Sequence, residues 1–190
     1  MNSIDTQCFR WINSHHCTAL DWTMWSLSQH WCFAVVLLLV FVLVTLRCEP
    51  RRWWLVAAAV AVCFLLADQG SVLTKESVER LRPCHTLEDV RMFRTRCGGQ
   101  YGFVSSHAAN AFAVVTFLAM RYRKHPWTVT LLTLWAVATG YSRVYLGKHY
   151  PGDVAGGMVL GIVVGIAVTL LCNFIEKKLQ LRETKKQNSR

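Results

Sequence analysis

Three apolar runs dominate this chain: Trp31 to Leu46, Trp53 to Ala67 and Val154 to Cys172. A run of about 20 such residues crosses the hydrocarbon core of a bilayer as a helix, since a helix satisfies its own backbone there. The first two runs reach that length once flanking residues such as Asp68 to Val72 are counted. Two weaker runs, Phe103 to Met120 and Trp127 to Leu146, carry Ser, His, Asn or Arg near one end. The expectation is an all-α polytopic membrane bundle of about five transmembrane helices. A composition of 53% hydrophobic and 17% charged residues leans the same way, away from a soluble enzyme.

Five spans place alternate loops on one side of the membrane. One side receives Arg47, Arg51 and Arg52, then Arg121, Arg123 and Lys124, and finally a tail with Lys177, Lys178, Arg182, Lys185, Lys186 and Arg190. The positive-inside rule makes that side cytoplasmic. Residues 68–102 and 142–153 then face the other side. The net charge of +10 is spread over membrane-flanking loops, which argues against a nucleic-acid partner. Residues 1–28 interleave Phe9, Trp11, Ile12, Leu20, Trp22 and Trp25 with polar groups, and read as an interfacial amphipathic segment. The 190 residues suit one domain. The expected organisation is the interfacial segment 1–28, a catalytic membrane domain 29–175 and a basic tail 176–190. No early apolar core follows a basic start, so a cleavable signal peptide is not expected.

Cys32, Cys63 and Cys172 fall in or near apolar runs and read as small hydrophobes. Cys84 and Cys97 share the long extracytoplasmic loop, where an oxidising compartment permits a disulfide. A zinc site with His85 as a third ligand is the alternative, for which the spacing is poor.

Three polar clusters fall on that same side. The first holds Lys75, Arg80, Arg82 and Pro83; the second holds Ser105, Ser106 and His107; the third holds Arg143, His149 and Asp153. Lys75, Arg82 and Arg143 offer three positive charges, and the arginine fork suits phosphate oxygens. Ser105 and Ser106 stand where a helix should begin, adding hydroxyls and free amides. No paired carboxylates wait for magnesium or calcium, so no metal or cofactor is expected. Neutral imidazole attacks a phosphorus centre when its far nitrogen is held by an acceptor. Asp153, four residues after His149, is spaced to be that acceptor, and His107 on another span is then the acid for the leaving group.

Lys75-x6-Arg82-Pro83, Ser105-Ser106-His107 and Ser142-Arg143-x5-His149-x3-Asp153 together resemble the type 2 phosphatidic acid phosphatase superfamily, which includes vanadium haloperoxidases. The likeness covers roughly residues 53–172. It implies a helical bundle and metal-independent hydrolysis through a phosphohistidine. By that resemblance Lys75, Arg82, Ser105, Ser106 and Arg143 bind phosphate, His107 is the general acid, His149 the nucleophile and Asp153 its partner. The family's second motif usually reads Pro-Ser-Gly-His, whereas Val104 and Ser106 stand here at the proline and glycine places. The compact layout resembles bacterial enzymes of the inner membrane acting on lipid A or undecaprenyl diphosphate. Phosphatidylglycerol phosphate and phosphatidic acid are the alternatives.

Several residues read as structural. Gly157, Gly161 and Gly165 recur every four positions, as close helix packing requires. Arg80, Arg91, Arg94 and Arg96 read as solvated or lipid-headgroup contacts, and His15, His16 and His30 as interfacial. A transporter would carry charges near the midplane and an internal repeat; here the charges sit at one rim and no repeat is found. A non-catalytic lipid-binding protein would lack the attacking histidine or its carboxylate, and both are present. The oligomeric state is not legible.

Overall fold

The computed structural model describes residues 3–188, with side chains up to Leu181. Arg182, Lys185, Lys186 and Arg190 of the basic tail lie outside the described side chains. Among the described residues every regular element is helical. Helices α1 (Ile4–Ser14) and α2 (Thr18–Leu27) are followed by α3 (His30–Val40). The latter runs on through a π-helical stretch, Phe41–Thr45, into the short α4 (Leu46–Cys48). Then come α5 (Trp53–Val78), α6 (Pro83–Thr86), α7 (Ser106–Arg121), α8 (Pro126–Tyr145) and α9 (Pro151–Asn188).

Among the described residues three helices are long and apolar enough to cross a membrane: His30–Cys48, Trp53–Val78 and Pro151–Leu181. The other two expected spans form helices but fall short of that standard. The 16 residues of α7 reach only about 24 Å at 1.5 Å per residue, and α8 carries four threonines, Ser142 and Arg143. Helix α7 lies at the centre, with Ala108, Ala109, Ala111, Ala113 and Phe117 all buried. It packs chiefly on α9, and also on α5 and α8.

The α7–α9 contact is made by backbone approaching backbone. A Cβ at Gly157 would lie 2.6 Å from the Ser105 carbonyl oxygen, at Gly161 2.4 Å from that of Ala109, and at Gly165 2.6 Å from that of Ala113. Only glycine fits at that separation, and close approach replaces the hydrophobic drive that lipid denies to membrane helices. Ser105 caps α7 by accepting from the Ala108 amide, and Pro126 and Pro151 open α8 and α9. The starts of α7 and α9 so set carry Ser106, His107 and Asp153. The peptide between Phe103 and Val104 is cis.

The N-terminal segment, expected as interfacial and amphipathic, packs on the bundle. It forms two helices, and both dock on the site end through contacts that amphipathic periodicity does not encode. Phe9 is buried against Tyr150. Asn13 donates to the carbonyls of Arg91 and Tyr145 and accepts from the Arg91 amide, all at 2.8–2.9 Å. Asp21 accepts both arms of Arg91 and the Tyr145 hydroxyl. At the opposite end Arg121 pairs with Glu49 and Glu176, joining α7 and α9 to the loop before α5.

Candidate active site

After α5 the chain turns at Glu79, in the left-handed region at φ 51°, and becomes extended. Leu81 bridges Tyr101, the Gly102 amide donates to the Arg80 carbonyl at 2.7 Å, and the Arg82 amide donates to Gln100 at 3.2 Å. Period-two alternation sends Arg80 and Arg82 to the same side, towards residues 149–153. Cys84 and Cys97 are joined by a disulfide just beyond, with Cα atoms 5.9 Å apart; these two sulfurs therefore serve each other, and His85 is exposed.

Arg82, Ser106, His107, Arg143 and His149 share a cavity of about 490 Å³. Four separate segments bring them there: the extended stretch after α5, the first turn of α7, the last turn of α8 and the α8–α9 loop. Lys75 reaches the same place from the last turn of α5, its Nζ donating to Ser106 Oγ at 2.5 Å and Ser71 Oγ at 3.3 Å. The cations face no carboxylate within the cavity except Asp68, which accepts from Asn110 at 3.4 Å. The far half of the cavity is apolar, walled by Phe33, Ala34, Leu37 and Phe64.

Behind His149 stands Asp153, fully buried. Its Oδ2 lies 3.5 Å from His149 Nδ1 and accepts the Tyr150 amide at 2.9 Å. With Nδ1 turned to Asp153, Nε2 is the nitrogen left for the cavity. Burial, followed by the Arg143 and Arg82 charges, holds the His149 imidazole well below its ordinary 6.5. The same causes lower Lys148, beside it, to about 8. The site therefore favours a neutral imidazole among fixed cations, which suits attack on an anionic phosphorus centre.

Ser105 does not line the cavity: its hydroxyl accepts from the Ala108 amide in the α7 cap, and its own amide donates to the Asp153 carbonyl. Four participants escaped the sequence reading. Arg80 is not a solvated surface residue: it donates to Asp153 Oδ1 at 2.9 Å and to Asp5 Oδ2 at 2.5 Å. Ser28, at the end of α2, accepts from Arg143 Nη1. His30 lies on the cavity wall with its ring 5.2 Å from that of His107. Arg91 likewise is bound to Asp21. Their partners lie 70–115 residues away, and no local pattern announces such pairs.

The PAP2 superfamily profile matches residues 52–176, about two thirds of the chain. The lipid A 4'-phosphatase of Bacteroides thetaiotaomicron is 31% identical over 187 residues, covering 95% of this chain and 82% of that one. The undecaprenyl-diphosphatase BcrC of Bacillus subtilis is 28% identical over 154 residues, covering 80% and 75%. The crystal structure of Aquifex aeolicus LpxE superposes with a TM-score of 0.70 at 24% identity, over 87% of this chain and 94% of that one, and so shares the fold. With three motif clusters around one cavity and a profile match spanning all of them, the chain belongs to the PAP2 superfamily.

Proposed function

We propose that this chain, a multi-pass membrane lipid phosphatase of the PAP2 type, removes a phosphate from lipid A, with undecaprenyl diphosphate as the second substrate reading. The reading carries one arrangement above all: a neutral histidine backed by a buried carboxylate, ringed by cations, in a cavity whose other half is apolar. His149 Nε2 attacks phosphorus as the bond to the lipid oxygen breaks, and His107 gives its proton to that leaving oxygen. Water activated by His107 then splits the phosphohistidine and releases phosphate. Lys75, Arg82, Ser106 and Arg143 hold the phosphoryl oxygens, and Asp153 keeps the imidazole in its attacking tautomer. Ser105 contributes through its amide-anchored cap.

The same reading counts five spans, with α7 and α8 completing the set. It places the site on the extracytoplasmic face of a bacterial inner membrane, and the basic loops in the cytoplasm. Residues 29–175 form the catalytic domain, with 1–28 docked on it and 176–190 as a basic tail. No metal takes part. The likeness to a lipid A 4'-phosphatase over nearly the whole chain supports lipid A, and the likeness to an undecaprenyl-diphosphatase supports the second reading.

The test is phosphate release by purified protein in EDTA from lipid A, undecaprenyl diphosphate, phosphatidylglycerol phosphate and phosphatidic acid. His149→Ala is the blank. Lipid A is expected to be turned over, with at least a thousandfold loss in the blank on the scale of a removed nucleophile (about 10³ or more). Wild-type activity in His149→Ala would falsify the mechanism, and turnover of phosphatidic acid alone would replace the substrate.

A further inference from the structure

Arg80 bridges two carboxylates that are far apart in sequence. Its Nη1 donates to Asp153 Oδ1 at 2.9 Å and its Nη2 to Asp5 Oδ2 at 2.5 Å, while its guanidinium lies 4.4 Å over the Tyr150 ring. Asp5 is in the first turn of α1, outside the residues matched by the family. Its other oxygen accepts the Gly152 amide at 2.8 Å. We propose that Asp5 and Arg80 are a positioning pair which keeps one oxygen of Asp153 available to His149. The proposal rests on the phosphohistidine reading above, in which Asp153 orients the imidazole.

The physical reason lies in arginine's fork. Two parallel N–H groups prefer to take both oxygens of a carboxylate. Bidentate capture of Asp153 by Arg80 would occupy Oδ2, the oxygen that faces His149 Nδ1 and accepts the Tyr150 amide. Asp5 prevents this by holding Nη2, so that Arg80 touches Asp153 through Nη1 alone. Arg80 still supplies the positive charge that a fully buried carboxylate requires. Asp5 in turn balances that charge, leaving Lys75, Arg82 and Arg143 as the cations for the phosphate.

Residue 152 shows that the approach of Asp5 is built in. A Cβ at Gly152 would lie 2.9 Å from Asp5 Oδ2 and 3.3 Å from Arg80 Nη1. Gly152→Ala therefore displaces Asp5 while leaving every charge in the protein unchanged. It separates the position of Asp5 from its charge.

The experiment compares Asp5→Asn, Arg80→Gln, their double variant and Gly152→Ala in the full-length enzyme, with His149→Ala as blank. Phosphate release from lipid A and undecaprenyl diphosphate gives kcat and KM. Arg10→Gln is the control for loosening of α1, since Arg10 pairs with exposed Asp89, away from the cavity, and should leave kcat unchanged. The expected result is a fall in kcat of about 10- to 100-fold in Asp5→Asn and Gly152→Ala with KM within about twofold. Asp5→Asn should add nothing once Arg80 is Gln, because its action passes through that side chain. Wild-type kcat in Asp5→Asn, an additive loss in the double variant, or an equal loss in Arg10→Gln overturns the pair. A variant that loses helicity is replaced by Arg80→Lys, which keeps the charge without the fork and must lose kcat. Where neither lipid is hydrolysed by wild type, vanadate binding to the same variants gives the readout. Activity persisting in His149→Ala defeats the mechanism itself rather than this inference.

Discussion

At the scale of single residues, His149 is where burial opposes charge most directly. Its lowered pKa means that the neutral, attacking form persists below pH 6.5, the ordinary value. The acid limb of kcat/KM, which reports the free enzyme, should therefore lie below pH 6.5. Arg82→Gln removes one of the charges responsible and should move that limb upward in a pH–rate series, whatever it does to the maximum. Two adjacent serines should part company. Ser106→Ala removes the partner of Lys75 and lowers kcat/KM, while Ser105→Ala removes a helix cap and costs about 1 kcal/mol of stability; kinetics and thermal unfolding on the same two proteins distinguish them. Much of this was legible in sequence, because His149 and Asp153 are spaced by one helical turn and Arg82 and Arg143 sit beside Pro83 and Ser142. Asp5 and Ser28 were not, because an aspartate and a serine in amphipathic helices look like ordinary caps until the fold brings their partners near.

At the scale of elements, the glycine seam of α9 fixes how closely α7 approaches. Gly161→Val would drive methyl groups into the Ala109 backbone, which already lies 2.4 Å from an ideal Cβ. The expected outcome is loss of folded protein in detergent, read by size exclusion. The N-terminal helices are held more locally. Asp21 is kept below its ordinary 3.8, chiefly by its hydrogen bond from Arg91. Since the folded pKa is the lower one, the stabilisation is present above that ordinary value and is lost as pH falls through the folded value. Acidification should release α1 and α2 before the bundle melts, read by protease cleavage near residue 16, and Asp21→Asn should release them at neutral pH. The helices themselves were legible as apolar runs, with starts within a few residues of where they stand, while α5 and α9 run on well past the expected ends into polar residues. Their docking was not, since Asn13, Asp21 and Arg91 obey no period, and the expected five spans included two helices whose length or polarity makes them poor spans on their own.

At the scale of the whole molecule, one end of the bundle gathers the site and the other gathers Arg121, Glu49, Glu176 and the basic loops. With the unpaired cysteines replaced by alanine, a membrane-impermeant maleimide should label Glu88→Cys in intact spheroplasts and Arg123→Cys only after lysis. The reverse pattern would invert the proposed topology. The contact between Asp5 and the Gly152 amide spans 147 residues, and this bears on biogenesis. At about 5–20 residues per second, helix α1 leaves the ribosome roughly 7–30 seconds before its partner exists. Each newly made chain must therefore keep Asp5 short of its Gly152 contact until the last helix is threaded, and it becomes an enzyme only at that final closure.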